Sequence, residues 1–303
     1  MSELSGALPS VVAGGRLCAL QKFWHHFSHN RGAAGAGLVV LLLVLVAIFA
    51  PLIAPHNPIE QYRDFVKIPP AWLDGGNWLF VLGTDEVGRD ILSRLMYGAR
   101  LAFWIGLVSV MLALIPGVLL GLIAAFFQRW VDTPVMRVMD VLLVLPSLLL
   151  AVVVVVIIGP GLTNTIFVIA IVALPGYVRL SRTSALGELQ KEYVTASRVA
   201  GAGMLRLMFS QVLPNCTAPM IVQATLSFSS AILDAAALGF LGLGVQPPTA
   251  EWGAMLASAR DYIDNAWWII TMPGLTILIS VLAINLLGDG LRDALDPKLK
   301  RMT

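Results

Sequence analysis

Six long apolar stretches constrain this chain more than anything else in it. They fall near residues 33–54, 101–127, 136–158, 162–180, 216–241 and 267–287. Each is long enough to cross a hydrocarbon core of ~30 Å at ~1.5 Å per helical residue. A segment with no water to satisfy its peptide groups must close its hydrogen bonds internally, so each stretch predicts a helix. Composition agrees: 58% of the residues are hydrophobic and only 13% are charged, which places the chain among integral membrane proteins. Pro116, Pro146, Pro175 and Pro273 lie inside the stretches and are tolerated where neighbouring helices in lipid re-satisfy the freed backbone. The expected fold class is an all-α integral membrane protein with six transmembrane helices.

Basic residues set the expected orientation. With the N-terminus inside, the inside segments hold Arg16, Lys22, Arg31, Arg129, Arg137, Arg179, Arg182, Lys191, Arg198, Arg206, Arg292, Lys298, Lys300 and Arg301. The outside keeps Arg63, Lys67, Arg89, Arg94, Arg100 and Arg260, so the positive-inside bias puts both termini in the cytoplasm. The expected organisation is a cytoplasmic tail over 1–32, a first transmembrane helix over 33–54, an external loop over 55–100, and a five-helix core over 101–303 with a cytoplasmic loop at 181–214. The first stretch is too long for a signal-peptide core and runs into Pro51 and Pro55, so it reads as a retained anchor. Before it, residues 17–29 mix aromatic and basic side chains like a helix lying on the inner membrane surface. His25 and His29 share a helical face there, but no carboxylate or thiol completes a ligand set, and no metal site is expected. Cys18 and Cys216 are far apart with no CxxC spacing, which argues against disulfide or thiol chemistry.

Catalytic signatures are missing. The chain has no GxxxxGK[ST] phosphate loop, no HExxH and no GxSxG, so ATP-driven work would place the nucleotide and its magnesium on other chains. What stands out instead is the polar interruption from Tyr193 to Asn215. Ala196 and Ser197 are small, Gly201 and Gly203 end one helix and redirect the next, and Leu213-Pro214 restarts the span. A helix–turn–helix with a small-residue face seats closely in a groove on another protein.

The spacing Thr195-Ala196-Ser197, Gly201, Leu213-Pro214 resembles the EAA loop of ABC-transporter permeases. Between the first two spans, Leu82-Gly83-Thr84-Asp85-Glu86-Val87-Gly88-Arg89-Asp90-Ile91-Leu92-Ser93-Arg94 resembles the GTDxxGRDxxSR signature of the C-type permease subunit of peptide and nickel importers. Residues 238–253 and 288–299 resemble two further stretches of that subfamily. The resemblance implies the type I ABC importer permease fold in a bacterial inner membrane, with 55–100 as a periplasmic loop. It also implies a homologous permease, two cytoplasmic ATPases and a periplasmic substrate-binding protein as partners, beside membrane lipids and without nucleic acid. By the same resemblance Thr195, Ala196, Ser197, Arg198, Gly201, Arg206, Leu213 and Pro214 would couple to the ATPases, and dipeptides or short oligopeptides would be the cargo. Nickel, glutathione and antimicrobial peptides are cargo of similar systems. The chain departs from the general EAA pattern at Thr195 and Ser197 and from the usual Pro-Glu-Trp at Ala250.

Each motif has a plainer reading. Gly83 and Gly88 supply turns, and Asp85, Asp90, Arg89 and Arg94 fold an external loop through a local charge network, or else the loop, Thr84 included, faces the binding protein. Gln246-Pro-Pro-Thr with Trp252 is a rigid turn with an aromatic anchor or a gate between spans five and six. In span five, Gln223, Ser227, Ser230 and Asp234 recur at i, i+4, i+7 and i+11, one narrow helix face. Asp234 lies ~26 Å along a helix counted from Thr217, nearer the outer end. That stripe lines a translocation path or packs against another helix. The rival class is an ATP-independent channel or carrier, which would be expected to bring several buried ionisable relays rather than Asp234 nearly alone.

Overall fold

The computed structural model describes residues 31–295, and its regular secondary structure is helical apart from one isolated β-bridge between Thr84 and Asp90. Residues 17–29, His25, His29 and Cys18 lie outside the described residues. Five helices are long and apolar enough to cross a membrane: α1 (Arg31–Ile53), α2 (Ile91–Phe126), α5 (Leu162–Leu189), α7 (Met204–Phe240) and α9 (Trp267–Leu295). A bent pair, α3 (Thr133–Val144) and α4 (Ser147–Ile158), supplies the sixth crossing. Two short helices, α6 (Glu192–Val199) and α8 (Trp252–Ala259), lie at opposite ends of the bundle.

Several expected boundaries move. The stretch 136–158 is not one straight helix: its halves meet at 94°. Pro146 forces Leu145 into extended backbone at φ −85°, ψ 140° and interrupts the hydrogen-bond ladder. The second span begins at Ile91 rather than 101, because Asp90 caps the helix by accepting from the Ser93 backbone N–H. The external loop is shorter by the same ten positions, roughly three turns. The fourth span runs on to Leu189, well into the expected loop 181–214. Leu213-Pro214 does not restart a helix either. α7 is continuous from Met204, and a π-helical stretch, Leu207–Val212, precedes the proline, the wider turn making room for a ring that would clash with the preceding carbonyls.

Packing depends on small residues where no hydrophobic effect draws helices together. α2 lies most extensively along α5. A Cβ on Gly117 would run into the Tyr177 side chain, and one on Gly121 into the backbone at Val178 and Arg182. The Ser181 hydroxyl donates to the Val118 carbonyl across that seam at 2.9 Å. At one end of the bundle, Leu122, Ala125, Ala185, Val194, Met208 and Val212 form a buried cluster, so the ends of α2 and α5, the start of α7 and α6 share that end. At the other, the Trp252 indole N–H donates to the Leu95 carbonyl at 3.1 Å and the Trp268 N–H to that of Thr84 at 3.3 Å, tying α8 and α9 to the 55–95 segment. With six crossings, Arg31 and Leu295 lie at the α6 end.

Candidate functional site

Three groups of residues carry the functional reading. The first is α6. Glu192 sits in its first turn and Arg198 in its last, both complementing the helix dipole. Val194 is fully buried and anchors the helix, while Thr195, Ala196 and Arg198 are exposed and Ser197 is half-buried. The helix ends in a Schellman motif: the Ala202 N–H donates to the Ser197 carbonyl and the Gly201 N–H to that of Arg198, each at 3.0 Å. Gly201 stands at φ +82° with open space where a Cβ would be, so glycine is there for its backbone freedom and not for close packing. Arg206 and Pro214 are exposed and Leu213 half-buried along the first turns of α7.

A bracket that the sequence did not point to holds α6 in place. The Tyr193 hydroxyl donates to Glu188 Oε2 at the end of α5 at 2.6 Å. Asn215 of α7 donates to the Tyr193 hydroxyl at 3.1 Å and to the Gln211 carbonyl at 2.7 Å. Lys191 Nζ meets Glu188 Oε1 at 2.6 Å. Burial and the adjacent Glu188 push the Tyr193 phenol up to about 12, so it stays a donor at every physiological pH. Five residues separate Tyr193 from Glu188 and 22 separate it from Asn215, and no periodicity in a single sequence marks such links. At the same end, Arg182 pairs with Asp132 and Arg179 with Asp140, fastening α5 to the bent segment.

The second group is the α7 stripe. Gln223 donates to Ser227 at 3.3 Å, as the i, i+4 spacing expects. Gln223, Ser227 and Asp234 are half-buried and Ser230 is exposed. Asp234 has no hydrogen bond or ion pair among the described residues. A concavity of about 1900 Å³ lies elsewhere: Thr217, Ala224, Thr225 and Phe228 line it from another face of α7, and the four stripe residues do not.

The third group is the loop motif, and it is buried. Asp85 accepts from the Val87 N–H at 3.0 Å, the Arg89 N–H at 2.8 Å and Arg89 Nε at 2.6 Å. Arg94 lies 3.6 Å from the same carboxylate. Asp90 accepts from the Ser93 hydroxyl at 2.5 Å and meets His56 at 3.3 Å. The Thr84 hydroxyl donates to the Phe65 carbonyl at 2.5 Å and accepts from the Ile68 N–H at 2.9 Å. Gly83 and Gly88 take φ near +80°, each with backbone where a Cβ would go. Asp85 and Asp90 are 3% and 1% exposed, so they fold the segment and leave its surface to others, among them Trp72 and Trp78. Beside this layer, Glu251 caps α8 through its carboxylate, accepting from the Gly253 and Ala254 N–H groups at 2.9 and 2.8 Å.

Residues 117–301 match the model of the family described as binding-protein-dependent transport system inner membrane component, and residues 19–70 match the N-terminal TM domain of oligopeptide transport permease C. The chain belongs to this permease family. It is similar to the di/tripeptide transport system permease protein DppC of Pseudomonas aeruginosa strain UCBPP-PA14, 67% identical over 93% of both chains. It is also similar to the dipeptide transport system permease protein DppC of Escherichia coli K12, 58% identical over 93% of this chain and 94% of that one. Solved structures of the MetNI methionine ABC transporter in inward-facing conformations match with a TM-score of 0.56 at 20% identity, over 67% of this chain and 96% of theirs. They share the permease fold. The permease is thus a multi-pass inner-membrane transport subunit, and family membership places ATP on separate ATPase chains and brings a partner permease and a binding protein.

Proposed function

We propose that this permease forms, with a homologous permease, the membrane path of an ATP-driven importer of dipeptides or short oligopeptides. The observation that carries the reading is α6: a helix anchored by one buried residue, capped by Gly201, with its small and basic side chains turned outward. Such an element fits a groove on a soluble ATPase better than it fits lipid. The names of the relatives supply the cargo. Orientation follows from charge: Arg137, Arg179, Arg182, Lys191, Arg198 and Arg206 crowd the α6 end, while at the other end Arg89 and Arg94 are buried in the loop network. The α6 end, and with it both termini, therefore faces the cytoplasm.

ATP-driven movement of the ATPases displaces α6, and the Tyr193 bracket passes it to α5 and α7 together. Because α7 carries Gln223, Ser227, Ser230 and Asp234, the same motion re-aims the stripe, where the unpaired Asp234 carboxylate suits a peptide's α-ammonium. The periplasmic 55–90 segment, stiffened from within, offers the binding protein its outer surface. The test is reconstitution with the neighbouring permease, ATPases and binding protein in liposomes, measuring ATP-dependent uptake of a labelled dipeptide beside nickel and glutathione. Dipeptide uptake lost on Gly201→Pro supports the reading. ATP-independent flux through this chain alone overturns it.

A further inference from the structure

The 1900 Å³ groove is roughly twice the upper end of ordinary small-ligand pockets, ~1,000 Å³. It opens between α1, α2, α7 and α9, on a different face of α7 from the Asp234 stripe. Its walls are apolar even where the sequence places hydroxyls. Thr225 spends its hydroxyl on the Ile221 carbonyl at 3.1 Å and Thr217 on that of Pro214 at 2.7 Å, so along α7 the groove offers hydrocarbon and no free hydroxyl.

One end differs. Tyr97, Arg100 and Trp104 stand at i, i+3 and i+7 on the groove side of α2. Arg100 is exposed and has no carboxylate or other hydrogen-bonding partner among the described residues. Pro51 and Ala54–Ile59, where α1 runs out into the loop, line the same end, which sets Arg100 at the membrane surface. A cation beside a tyrosine and a tryptophan is the composition of the polar–apolar boundary. From Arg100 to Met111, also in the wall, is ~16 Å along the helix, about the depth of one hydrocarbon leaflet.

We propose that this groove is a phospholipid site, with the lipid phosphate on Arg100 and the acyl chains lying along α2 between α1 and α7. The fixed cation explains why a lipid rather than a further apolar helix occupies it, since a helix would leave the guanidinium without a counter-charge. The orientation proposed above makes this the outer leaflet; the lipid assignment itself does not depend on that orientation or on the cargo.

The experiment uses the assembled transporter in nanodiscs containing phosphatidylethanolamine with a diazirine in one acyl chain. After irradiation, adducts are mapped by peptide mass spectrometry in the wild type, Arg100→Lys, Arg100→Glu and Met111→Trp, the last filling the groove without touching the headgroup end. Adducts are expected on the wall between Trp104 and Ile115, retained in Arg100→Lys, reduced roughly tenfold in Arg100→Glu, and reduced in Met111→Trp with folding checked by thermal unfolding. Adducts spread evenly over all lipid-facing helices and unchanged in Arg100→Glu would overturn the site. So would cross-links from a photoreactive residue at 111 to the partner permease in place of lipid.

Discussion

Replacing Tyr193 with phenylalanine removes one hydroxyl and leaves the ring that packs on the cluster around Val194 and Val212. What is lost is a 2.6 Å hydrogen bond to a carboxylate together with the acceptor for Asn215. Hydrogen bonds to charged groups contribute ~1.5–3 kcal/mol. Tyr193 is only half-buried, and Asn215 keeps its bond to the Gln211 carbonyl, so the expected loss, about 1–2 kcal/mol, lies around the bottom of that range. That corresponds to a factor of roughly 5–30 in the ratio of seated to unseated α6. Val194 still anchors the helix, so the transporter should assemble and bind its ATPases. The change should appear as fewer dipeptides imported per ATP hydrolysed, measured with both rates taken from the same proteoliposomes. Glu188→Gln, which keeps the geometry and removes the charge, should fall between wild type and Tyr193→Phe. An unchanged ratio in Tyr193→Phe would refute the idea that this bracket carries movement from α6 to α7.

Gly201→Ala should cost about 1–2 kcal/mol, the penalty of left-handed backbone for a residue with a Cβ, and leave uptake reduced but measurable. Gly201→Pro also forbids φ +82° and removes the donor to the Arg198 carbonyl, so ATP-coupled uptake should vanish while the complex still elutes intact from a sizing column. Burial pushes the Glu251 carboxyl from 4.5 up to about 7, against the two backbone N–H groups that favour its charge. The folded state therefore holds that proton more tightly than the unfolded one. This group's contribution to stability is greatest below pH ~4.5 and declines as pH rises through ~7, by at most about 3 kcal/mol. Glu251→Gln should flatten that decline between pH 5 and 8 in thermal unfolding, and parallel curves would show the carboxyl is not its source. Gly117→Leu should drive α2 and α5 apart at Tyr177 and abolish assembly, read as loss of the complex on a native gel. Asp234→Asn should lower dipeptide uptake without lowering ATPase activity; undiminished uptake would take Asp234 out of the path.

The apolar lengths alone determined that the chain lies in a membrane, how many times it crosses, and which stretches cross. Lipid leaves a backbone no alternative to the helix, so the count of crossings survived contact with the structure, with the bent α3–α4 pair as the sixth. The helix that presents Thr195 and Ala196, its glycine stop and the α7 stripe were equally legible, because each is local: one turn chemistry or one 3.6-residue period. The bend at Pro146, the π-helical stretch before Pro214 and the early start of α2 at Asp90 were not. A proline says that the ladder must yield, and only the neighbouring helices decide whether it breaks, widens or ends. The motif at 83–94 left open in the sequence whether its charges fold the loop or face a partner; Asp85 and Asp90 lie inside, because Trp268, His56 and the 55–70 segment close over them. Tertiary structure alone joined Glu188, Tyr193 and Asn215, and turned one face of α7 toward an apolar groove while leaving the Asp234 stripe on another. Those pairings are set by packing between segments far apart in the chain, and a period within one segment carries no record of them.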